Sequence, residues 1–275
     1  MRIGSNPNRI ASAKGFRPVV LIVVTHLPDT TSEYHKHRLE VIQTCLTSMR
    51  AGADMDHTLM VWDNGSCDAL TLLLPDLADV VILSPNIGKT AARTSMIRML
   101  PPGTIVAYSD DDMYFYPGWL RPQIELLQHF PNVSAVTGYP VRTASRWGCE
   151  NTLAWAREHG TLEMGQFIPR RWENDFCVSI GRDPVWHANE SRRDREGRVT
   201  YNGKQAYCLG HHCQFVGYQE RLVRAATWDD KAMGDEKPLD RALDAIGLRL
   251  ATTDRHCRHI GNVLHDELRK ELHLQ

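Results

Sequence analysis

Three consecutive aspartates, Asp110, Asp111 and Asp112, follow Ser109 at the end of an apolar stretch that closes with Tyr108. Burying three adjacent carboxylates without a cation would cost much free energy, because they repel one another and lose their hydration. In an extended segment residues i and i+2 point the same way, so Asp110 and Asp112 face one ion and Asp111 faces elsewhere. Oxygen ligands of this kind suit Mg²⁺ or Mn²⁺. The sequence therefore predicts a divalent metal site at Asp110 and Asp112; an acidic turn in solvent is the alternative.

Strands and helices alternate in the part of the chain that leads to these aspartates. Residues 19–24 are all apolar and mostly β-branched, as is typical of a buried parallel strand. Apolar residues at helical spacing predict a helix over residues 34–50, with a stop at Gly52. This alternation predicts an α/β fold with a doubly wound, Rossmann-like, mainly parallel sheet and a ligand site at the carboxyl ends of its strands. The remaining elements of this half are predicted as strands at 57–62, 80–83 and 104–108 and a helix at 88–100.

The second half of the chain has weaker periodicity and is rich in tryptophan and arginine. Its charge run at residues 192–198 is typical of a solvated hairpin or loop. The stripe Leu264, Leu268 and Leu272 predicts a closing helix that packs on its own domain; the alternative is a homodimer contact. We predict one integrated domain, divided into a lead-in at 1–17, a first half at 18–138 and a second half at 139–275.

Composition excludes several classes of protein. The chain has 275 residues, 42% of them hydrophobic, and a formal net charge of −1, which predicts a globular protein without the basic field that nucleic acid binding needs. The longest apolar run, residues 19–24, is far shorter than the roughly 18 residues that span a bilayer, and no signal peptide is apparent. Seven scattered cysteines indicate reduced thiols. These features predict a soluble, cytoplasmic protein with no transmembrane segment.

Four segments resemble the inverting glycosyltransferases of the GT-A type, family 2, in both order and spacing. Each segment is short, but their shared order extends over about a hundred residues, which makes coincidence improbable. The four are residues 19–25, Val61-Trp62-Asp63-Asn64-Gly65-Ser66, Asn86-Ile87-Gly88 with Ala91-Ala92-Arg93, and Asp110-x-Asp112 with Pro117 and Trp119-Leu120.

This resemblance implies a GT-A fold with a loop-rich lobe on the acceptor side. It also implies a nucleoside-diphosphate sugar, with UDP or GDP, as donor, Mn²⁺ or Mg²⁺ as cofactor, and a hydroxyl acceptor that is a small molecule, a glycan or a lipid-linked molecule. Asp63 would bind the base or ribose, Thr25 would lie beside the base, and Arg93 would lie near the diphosphate. The donor-binding residues assigned in this way are Thr25, Asp63, Asn86, Gly88, Arg93 and Asp111.

Two segments of the second half resemble the same family. Gly234-Asp235-Glu236 is similar to its acidic pair, so one of these carboxylates would be the catalytic base that deprotonates the acceptor hydroxyl. The family order is Glu then Asp, whereas here Asp235 precedes Glu236, which leaves open which one acts; position favours Glu236. His259 resembles a late histidine that binds the metal or the diphosphate, or it caps the preceding strand.

Other nucleotide-binding classes do not fit. Gly88-Lys89-Thr90 ends like a P-loop, but that loop needs a glycine where Leu83 stands. The first strand is not followed by the G-x-G-x-x-G of a dinucleotide dehydrogenase, nor by the glycine-rich, arginine-containing loop expected of a sugar-nucleotide pyrophosphorylase.

Three further alternatives stay open at the level of the sequence. The metal site is shared by retaining GT-A enzymes, so the stereochemistry is undecided, and a non-enzymatic protein could bind metal and nucleotide as well. Cys208, His211, His212 and Cys213 could hold zinc, although structural zinc sites usually combine two separated ligand pairs. A core strand near the acceptor side is the simpler interpretation of this segment.

Overall fold

A computed structural model describes residues 18–225 and 236–274 of the chain. The predicted lead-in at residues 1–17 lies outside the described residues. In the first half, strands and helices alternate as the sequence predicts, and most bounds agree within one or two residues. The elements of this half are β1 (Val19–Thr25), α1 (Arg38–Gly52), β2 (Thr58–Asn64), α2 (Asp68–Thr71), α3 (Leu74–Leu77), β3 (Val80–Ser84), α4 (Lys89–Met99), β4 (Ile105–Ser109), β5 (Met113–Phe115), α5 (Leu120–His129) and β6 (Val133–Thr137).

The second half contains more regular structure than its weak periodicity indicates. Short antiparallel strands and amphipathic helices occupy most of it. Its helices are a 3₁₀ helix (Arg142–Arg146), α6 (Glu150–His159), α7 (Arg170–Ser179), α8 (Pro184–Glu190), α9 (Gln219–Ala225), α10 (Lys237–Ile246) and α11 (Asp266–Glu271). Its strands are β7 (Thr161–Gly165), β8 (Glu196–Tyr201), β9 (Lys204–Tyr207), β10 (Gln214–Tyr218), β11 (Leu248–Ala251) and β12 (Cys257–His259).

One ten-stranded sheet runs through both halves in the order β3-β2-β1-β4-β10-β6-β11-β9-β8-β7. The first four strands of the chain, β1 to β4, are parallel to one another, so their carboxyl ends meet at one edge. Strand β10 then pairs with β4 in antiparallel orientation and joins the second half to the first. A separate two-stranded sheet pairs β12 with β5, which directly follows the three aspartates.

The sheet is covered on both faces, as expected for a doubly wound fold. Side chains of β1 alternate between two hydrophobic clusters. Leu21 and Val23 pack with residues of α1 and α5, whereas Ile22 packs on the opposite face with residues of α4, α9 and α10. Both faces of β1 are therefore buried, which explains why residues 19–24 form a continuous apolar run.

Helix α1 begins at Arg38 rather than at the predicted residue 34. The carboxylate of Asp29 accepts hydrogen bonds from the backbone N–H groups of Thr31 and Ser32, and this local turn competes with helix formation. The carbonyl of Ser32 then accepts from the backbone N–H of His35. Residues 29–37 consequently form a loop above the sheet edge instead of the first turns of the helix.

The C-terminal leucine stripe, the membrane-spanning potential of the helices and the cysteines are each the object of a prediction. Leu264, Leu268 and Leu272 are buried against Val41 and Ile260 of the same chain, as predicted for a closing segment, but helix α11 covers only Asp266–Glu271. Within the described ranges, no helix is long and apolar enough to cross a membrane. All seven cysteines lie in the described ranges and are free thiols.

The charge run at residues 192–198 is only partly a solvated loop. Glu196 begins β8 and is fully buried, where its carboxylate accepts from the backbone N–H of Ile168 and pairs with Arg142. A buried carboxylate is tolerated when it is paired and hydrogen-bonded. Composition does not reveal such partners, because they come from distant parts of the chain.

Candidate active site

A cavity of about 490 Å³ opens at the carboxyl ends of the parallel strands. Its walls come from the segments that follow β1, β2, β3 and β4, together with the first residues of α1 and α4. This is the position at which open α/β sheets bind ligands. The cavity is lined by Val24, His26, Tyr34, His35, Arg38, Asn64, Asn86, Lys89, Asp110, Asp111, Asp112 and Glu236.

All three consecutive aspartates line this cavity, so the expectation that Asp111 faces elsewhere is wrong. The reason is that β4 ends at Ser109 and the next residues turn, so the strict alternation of an extended strand is lost. Asp110 accepts a hydrogen bond of 2.6 Å from the hydroxyl of Tyr108, and its Oδ1 lies 2.7 Å from Lys89 Nζ. Asp110 is thus held by a cation from the start of α4.

Arg38, the first residue of α1, connects the other two aspartates. Its guanidinium pairs with Asp111 and lies 3.3 Å from Asp112 Oδ2, and it also donates to the side chain of Asn262 at 2.9 Å. Burial raises the pKa of the Asp111 carboxyl, and repulsion from Asp112 adds to this effect, although Arg38 opposes it. The carboxylates of this site therefore crowd one another and depend on neighbouring cations.

His259 is brought beside Asp112 by the pairing of β12 with β5. In that ladder His259 lies opposite Met113, and the backbone N–H of Ile260 donates to the carbonyl of Asp112. His259 Nε2 lies 3.3 Å from Asp112 Oδ2, and His259 Nδ1 lies 2.9 Å from Ser179 Oγ. Burial alone would raise the pKa of Asp112, but its pairs with His259 and Arg38 hold that pKa well below its usual range.

The residues around Asp112 fit a divalent cation. Asp112 Oδ1 is buried and has no hydrogen-bond partner among the described residues, which is costly unless a ligand occupies that position. His259 turns Nε2 toward Asp112, and its Nδ1 lies 2.9 Å from Ser179 Oγ and 3.2 Å from the backbone nitrogen of Gly261. This Nε2 would bind a metal held by Asp112 when the imidazole is neutral and carries its proton on Nδ1. Carboxylate and imidazole ligands together suit Mn²⁺.

Thr25 and Asp63, which the family resemblance places beside the nucleoside, do not line the cavity. Asp63 is 2% exposed, and its carboxylate accepts from the backbone N–H of Ser66 at 3.1 Å and from Thr25 Oγ1 at 3.4 Å. The hydroxyl of Ser66 accepts from the backbone N–H of Leu27, and Cys67 is the residue that precedes α2. Since successive side chains of a strand point to opposite faces, Asn64 reaches the cavity and Asp63 does not.

Replacing Asp63 with alanine is therefore expected to lower stability rather than nucleotide binding. The substitution leaves the N–H of Ser66 without its buried acceptor, which typically costs about 1–3 kcal/mol. Thermal unfolding measured without ligand should show a lower Tm, and titration calorimetry at a temperature where the variant is folded should give unchanged affinity for UDP or GDP. An unchanged Tm together with a large loss of nucleotide affinity would contradict this prediction and support a direct contact of Asp63 with the nucleoside.

Asn86 and Gly88 form the rim between β3 and α4. Asn86 Oδ1 accepts from the side chain of Asn64 at 3.0 Å and from the backbone N–H of Gly88 at 2.9 Å. Gly88 precedes the first residue of α4 with a φ of +87°, which a residue with a Cβ rarely adopts. Asn86 and Gly88 thus fix the start of α4 and direct Lys89 into the cavity.

Glu236 lies on the opposite wall and is held by two cations. Its Oε2 lies 2.9 Å from the guanidinium of Arg93, and its Oε1 lies 3.4 Å from Lys89 Nζ. Burial opposes ionisation, but Arg93 and Lys89 together lower the pKa of Glu236 to about 2. Arg93 is 2% exposed and does not line the cavity, so in this state it supports Glu236 and Tyr108. The rival acid, Asp235, lies outside the described residues.

The alternative zinc ligands are only partly assembled. Ligand atoms of His211, His212 and Cys213 lie within 4.8 Å of one another, and Cys208 is not part of this group. His212 Nδ1 already lies 3.0 Å from Asp240 Oδ2. Cys213 is followed directly by β10, and its carbonyl accepts from the N–H of Asp110. The segment from Cys208 to Cys213 is therefore the connection between β9 and β10 rather than the core strand that the sequence predicts.

Two charged residues of the cavity, Arg38 and Lys89, are absent from the sequence-based assignment. Each is the first residue of its helix, where a cation is unfavourable because the N-terminal end of the helix dipole carries a partial positive charge. A cation at that position indicates an acidic partner nearby, and this signal could have identified both residues. Ser179 gave no such signal, because only the packing of α7 against β12 brings it to His259.

Comparison with solved structures supports the fold. The S. aureus protein TarS, residues 1–349, is similar with a TM-score of 0.50 and 11% identity, over 88% of this chain and 60% of that chain. A mannosyltransferase from Pyrobaculum calidifontis, solved in complex with GDP-Man and Mn²⁺, has 22% identity and a TM-score of 0.35 over 45% of this chain and 37% of that chain. This chain thus spans less than two thirds of either protein. The predicted GT-A type α/β fold is confirmed.

Sequence comparison gives the family. The comparison with curated protein sequences yields no significant match. The sequence profile of glycosyl transferase family 2 matches residues 34–183, which include α1, the Asp63 turn, the Asn86 rim and the three aspartates. That range covers more than half of the 275 residues. The chain belongs to glycosyl transferase family 2.

Proposed function

We propose that the protein transfers a sugar from a nucleoside-diphosphate sugar to a hydroxyl acceptor with the help of a divalent cation. The observation that carries this proposal is the unpartnered, buried Asp112 Oδ1 beside His259, in a cavity that also contains the ammonium of Lys89. An anionic ligand that brings its own divalent cation would satisfy both the carboxylates and the ammonium. Family membership supports the same reaction class.

The donor site is formed by the segments that follow the first three strands. Tyr34 is 56% exposed at the cavity wall, where its ring is available to stack on a nucleobase. His26 and Asn64 line the same part of the cavity, and His26 Nδ1 lies 2.9 Å from the carbonyl of Asn64. These residues take the role that the family resemblance gives to Asp63 and Thr25.

Asp112 and His259 would hold the metal, with Asp110 and Asp111 close to it. When bound, the ion neutralises the charge that develops on the leaving diphosphate. Lys89 pairs with Asp110 and Glu236, and a diphosphate in the cavity would compete for its ammonium. Lys89 would then stabilise the leaving group from the α4 side.

Glu236 is the candidate base for an inverting reaction. It lines the cavity, and its carboxylate is ionised at neutral pH because its pKa is about 2. A pKa this low makes a weak base, so the inverting mechanism requires Lys89 to leave Glu236 when the donor binds. The ion pairs of Glu236 equally favour a second candidate, a retaining transfer in which Glu236 only positions Arg93 and Lys89. The anomeric configuration of the product, read by NMR, distinguishes the two.

Thermal unfolding with nucleotides and metal tests the function itself. Ligands that bind only the native state raise stability in proportion to ln(1 + [L]/Kd), about 2.7 kcal/mol at 100 Kd. UDP or GDP together with Mn²⁺ should raise Tm by much more than the sum of the Tm shifts that the nucleotide and Mn²⁺ cause separately, because metal and diphosphate complete one site. The same samples, given UDP- or GDP-sugars, should release the nucleoside diphosphate. Metal-dependent binding without any turnover would support a non-enzymatic binding protein instead.

A further inference from the structure

A second cavity, of about 390 Å³, adjoins the candidate active site through Glu236, which lines both cavities. Its other walls come from the 3₁₀ helix, from α8 and from the segment at residues 210–212. A molecule bound there would reach the candidate base from outside the donor site. The position is therefore suited to an acceptor, an inference that rests on the proposed function.

Two exposed tryptophans line this second cavity. Of the tryptophans in the described part of the chain, Trp147 and Trp186 are the most exposed, at 40% and 54%, whereas Trp119 and Trp172 are buried. An indole ring left in contact with water loses the stabilisation that burial would give, roughly 25 cal/mol for each Å² of apolar surface. Two such rings in one concave site are typical of a ligand-binding pocket with aromatic anchors.

The backbone on both sides of Trp147 is held firmly. The guanidinium of Arg249 is 1% exposed, pairs with Asp240 and donates to the carbonyl of Trp147 at 3.0 Å. Gly148 follows with a φ of +59°, and a Cβ there would lie 2.5 Å from the carbonyl oxygen of Asp240. Lys237 Nζ lies 4.5 Å from the centroid of the Trp147 ring, which further limits its movement. The ring is thus pre-organised next to Glu236.

Trp186 lies in α8, a helix that is held in place by a side-chain cap and by a contact on its buried side. The side chain of Asp183 accepts from the N–H of Val185 at 2.7 Å and caps this helix. On the buried side of the helix, His187 Nε2 lies 3.1 Å from the carboxylate of Glu173. Because the inner side of α8 is fixed in this way, Trp186 is presented toward the cavity without a large ordering cost.

The remaining lining is polar. The side chains of Arg182 and His212 supply hydrogen-bond donors and acceptors around the indole rings. A sugar ring matches this combination, because its C–H faces pack on the electron-rich face of an indole and its hydroxyl edges bind polar groups. A membrane-inserting surface would instead expose its aromatic residues on a convex face. The concave arrangement therefore favours a glycan over a lipid bilayer.

We propose that this cavity is the acceptor subsite and that it binds a carbohydrate acceptor by stacking on Trp147 and Trp186. The acceptor hydroxyl then points toward Glu236, at the junction of the two cavities. Selectivity for the acceptor resides in the two indole rings, whereas the donor site contains neither of them.

The test uses the tagged full-length protein on a microarray of natural glycans in the presence of Mn²⁺ and UDP or GDP. We expect the wild type to bind a defined group of glycans, and Trp186→Ala to weaken the affinity for the best soluble one by about tenfold or more. Trp186→Phe should retain most of the binding. The matched control is Val185→Ala on the same helix, since Val185 is 68% exposed and does not line the cavity.

Metal-dependent nucleotide binding, measured by calorimetry, separates this inference from the proposed function. It should be unchanged in Trp186→Ala and Val185→Ala. If the wild type binds nucleotide but no glycan, the carbohydrate acceptor is overturned and the proposed function is not. If glycan binding survives Trp186→Ala, the placement of the acceptor subsite in this cavity is overturned. Binding to phosphatidylglycerol vesicles that is lost in Trp186→Ala, without glycan binding, would assign the cavity to a membrane surface instead.

Discussion

Replacing Asp112 with asparagine is expected to abolish Mn²⁺-dependent binding of UDP or GDP. Asp112 supplies the buried, unpartnered oxygen of the site and lies next to His259, so its loss removes a metal ligand rather than a peripheral contact. Removing even an outer hydrogen-bond partner of a metal ligand costs roughly 10–100-fold in affinity, and the loss of a ligand should exceed this range. Titration calorimetry with and without Mn²⁺ measures the effect directly.

The fold of the Asp112→Asn variant should survive. The substitution removes one of three crowded carboxylates, and Arg38 keeps its pair with Asp111, but the pairs of Asp112 with His259 and Arg38 are lost. The metal-free variant should therefore fold with a somewhat lower Tm than the wild type. Asp68→Asn, an exposed acid on α2, is the matched control and should bind nucleotide normally. If Asp112→Asn keeps the full Mn²⁺-dependent affinity for UDP or GDP, Asp112 is not a metal ligand.

Replacing Glu236 with glutamine is expected to lower kcat by about 10²–10⁴-fold, the usual contribution of a general base. The amide keeps the shape of the side chain but cannot accept the proton of the acceptor hydroxyl. Donor affinity should change little, because the metal ligands are untouched and Lys89 retains Asp110 as a partner. Steady-state kinetics at saturating donor, with calorimetry of donor binding, separate the two effects.

The adjacent acid provides the comparison for Glu236. Asp235→Asn should keep nearly full turnover if Glu236 is the base. Full turnover in Glu236→Gln with loss in Asp235→Asn would exchange the two roles. If both variants turned over normally, this acidic pair would not take part in the chemistry, and a retaining transfer would be favoured.

Much of the first half could be predicted from local sequence. The run at residues 19–24 encodes a strand buried on both faces, and the structure has positive φ angles at Gly65 and Gly88, where glycine is the residue type that adopts them most readily. The order of these short segments is also what reveals the family. Local patterns work here because a parallel strand buried on both faces leaves a continuous apolar signature.

Side-chain direction at the ends of strands was harder to predict. The family resemblance selects Asp63 for the nucleoside, yet the neighbouring Asn64 lines the cavity. The alternation rule places Asp111 away from Asp110 and Asp112, yet all three share the cavity because the strand has already ended. A shift of one residue reverses the face of a strand, so small errors in its bounds move a carboxylate into or out of a site.

By itself, the sequence determined the family, the alternating elements of the first half and the acidic segment at the end of β4. Only the tertiary structure decided how that segment is neutralised, since Arg38, Lys89 and His259 come from α1, α4 and β12. It also decided that Trp147 and Trp186 line one cavity beside Glu236. The physical reason is that hydrogen bonds, ion pairs and cavities depend on distances of a few ångströms between residues far apart in the chain. Local periodicity and composition carry no information about such distances.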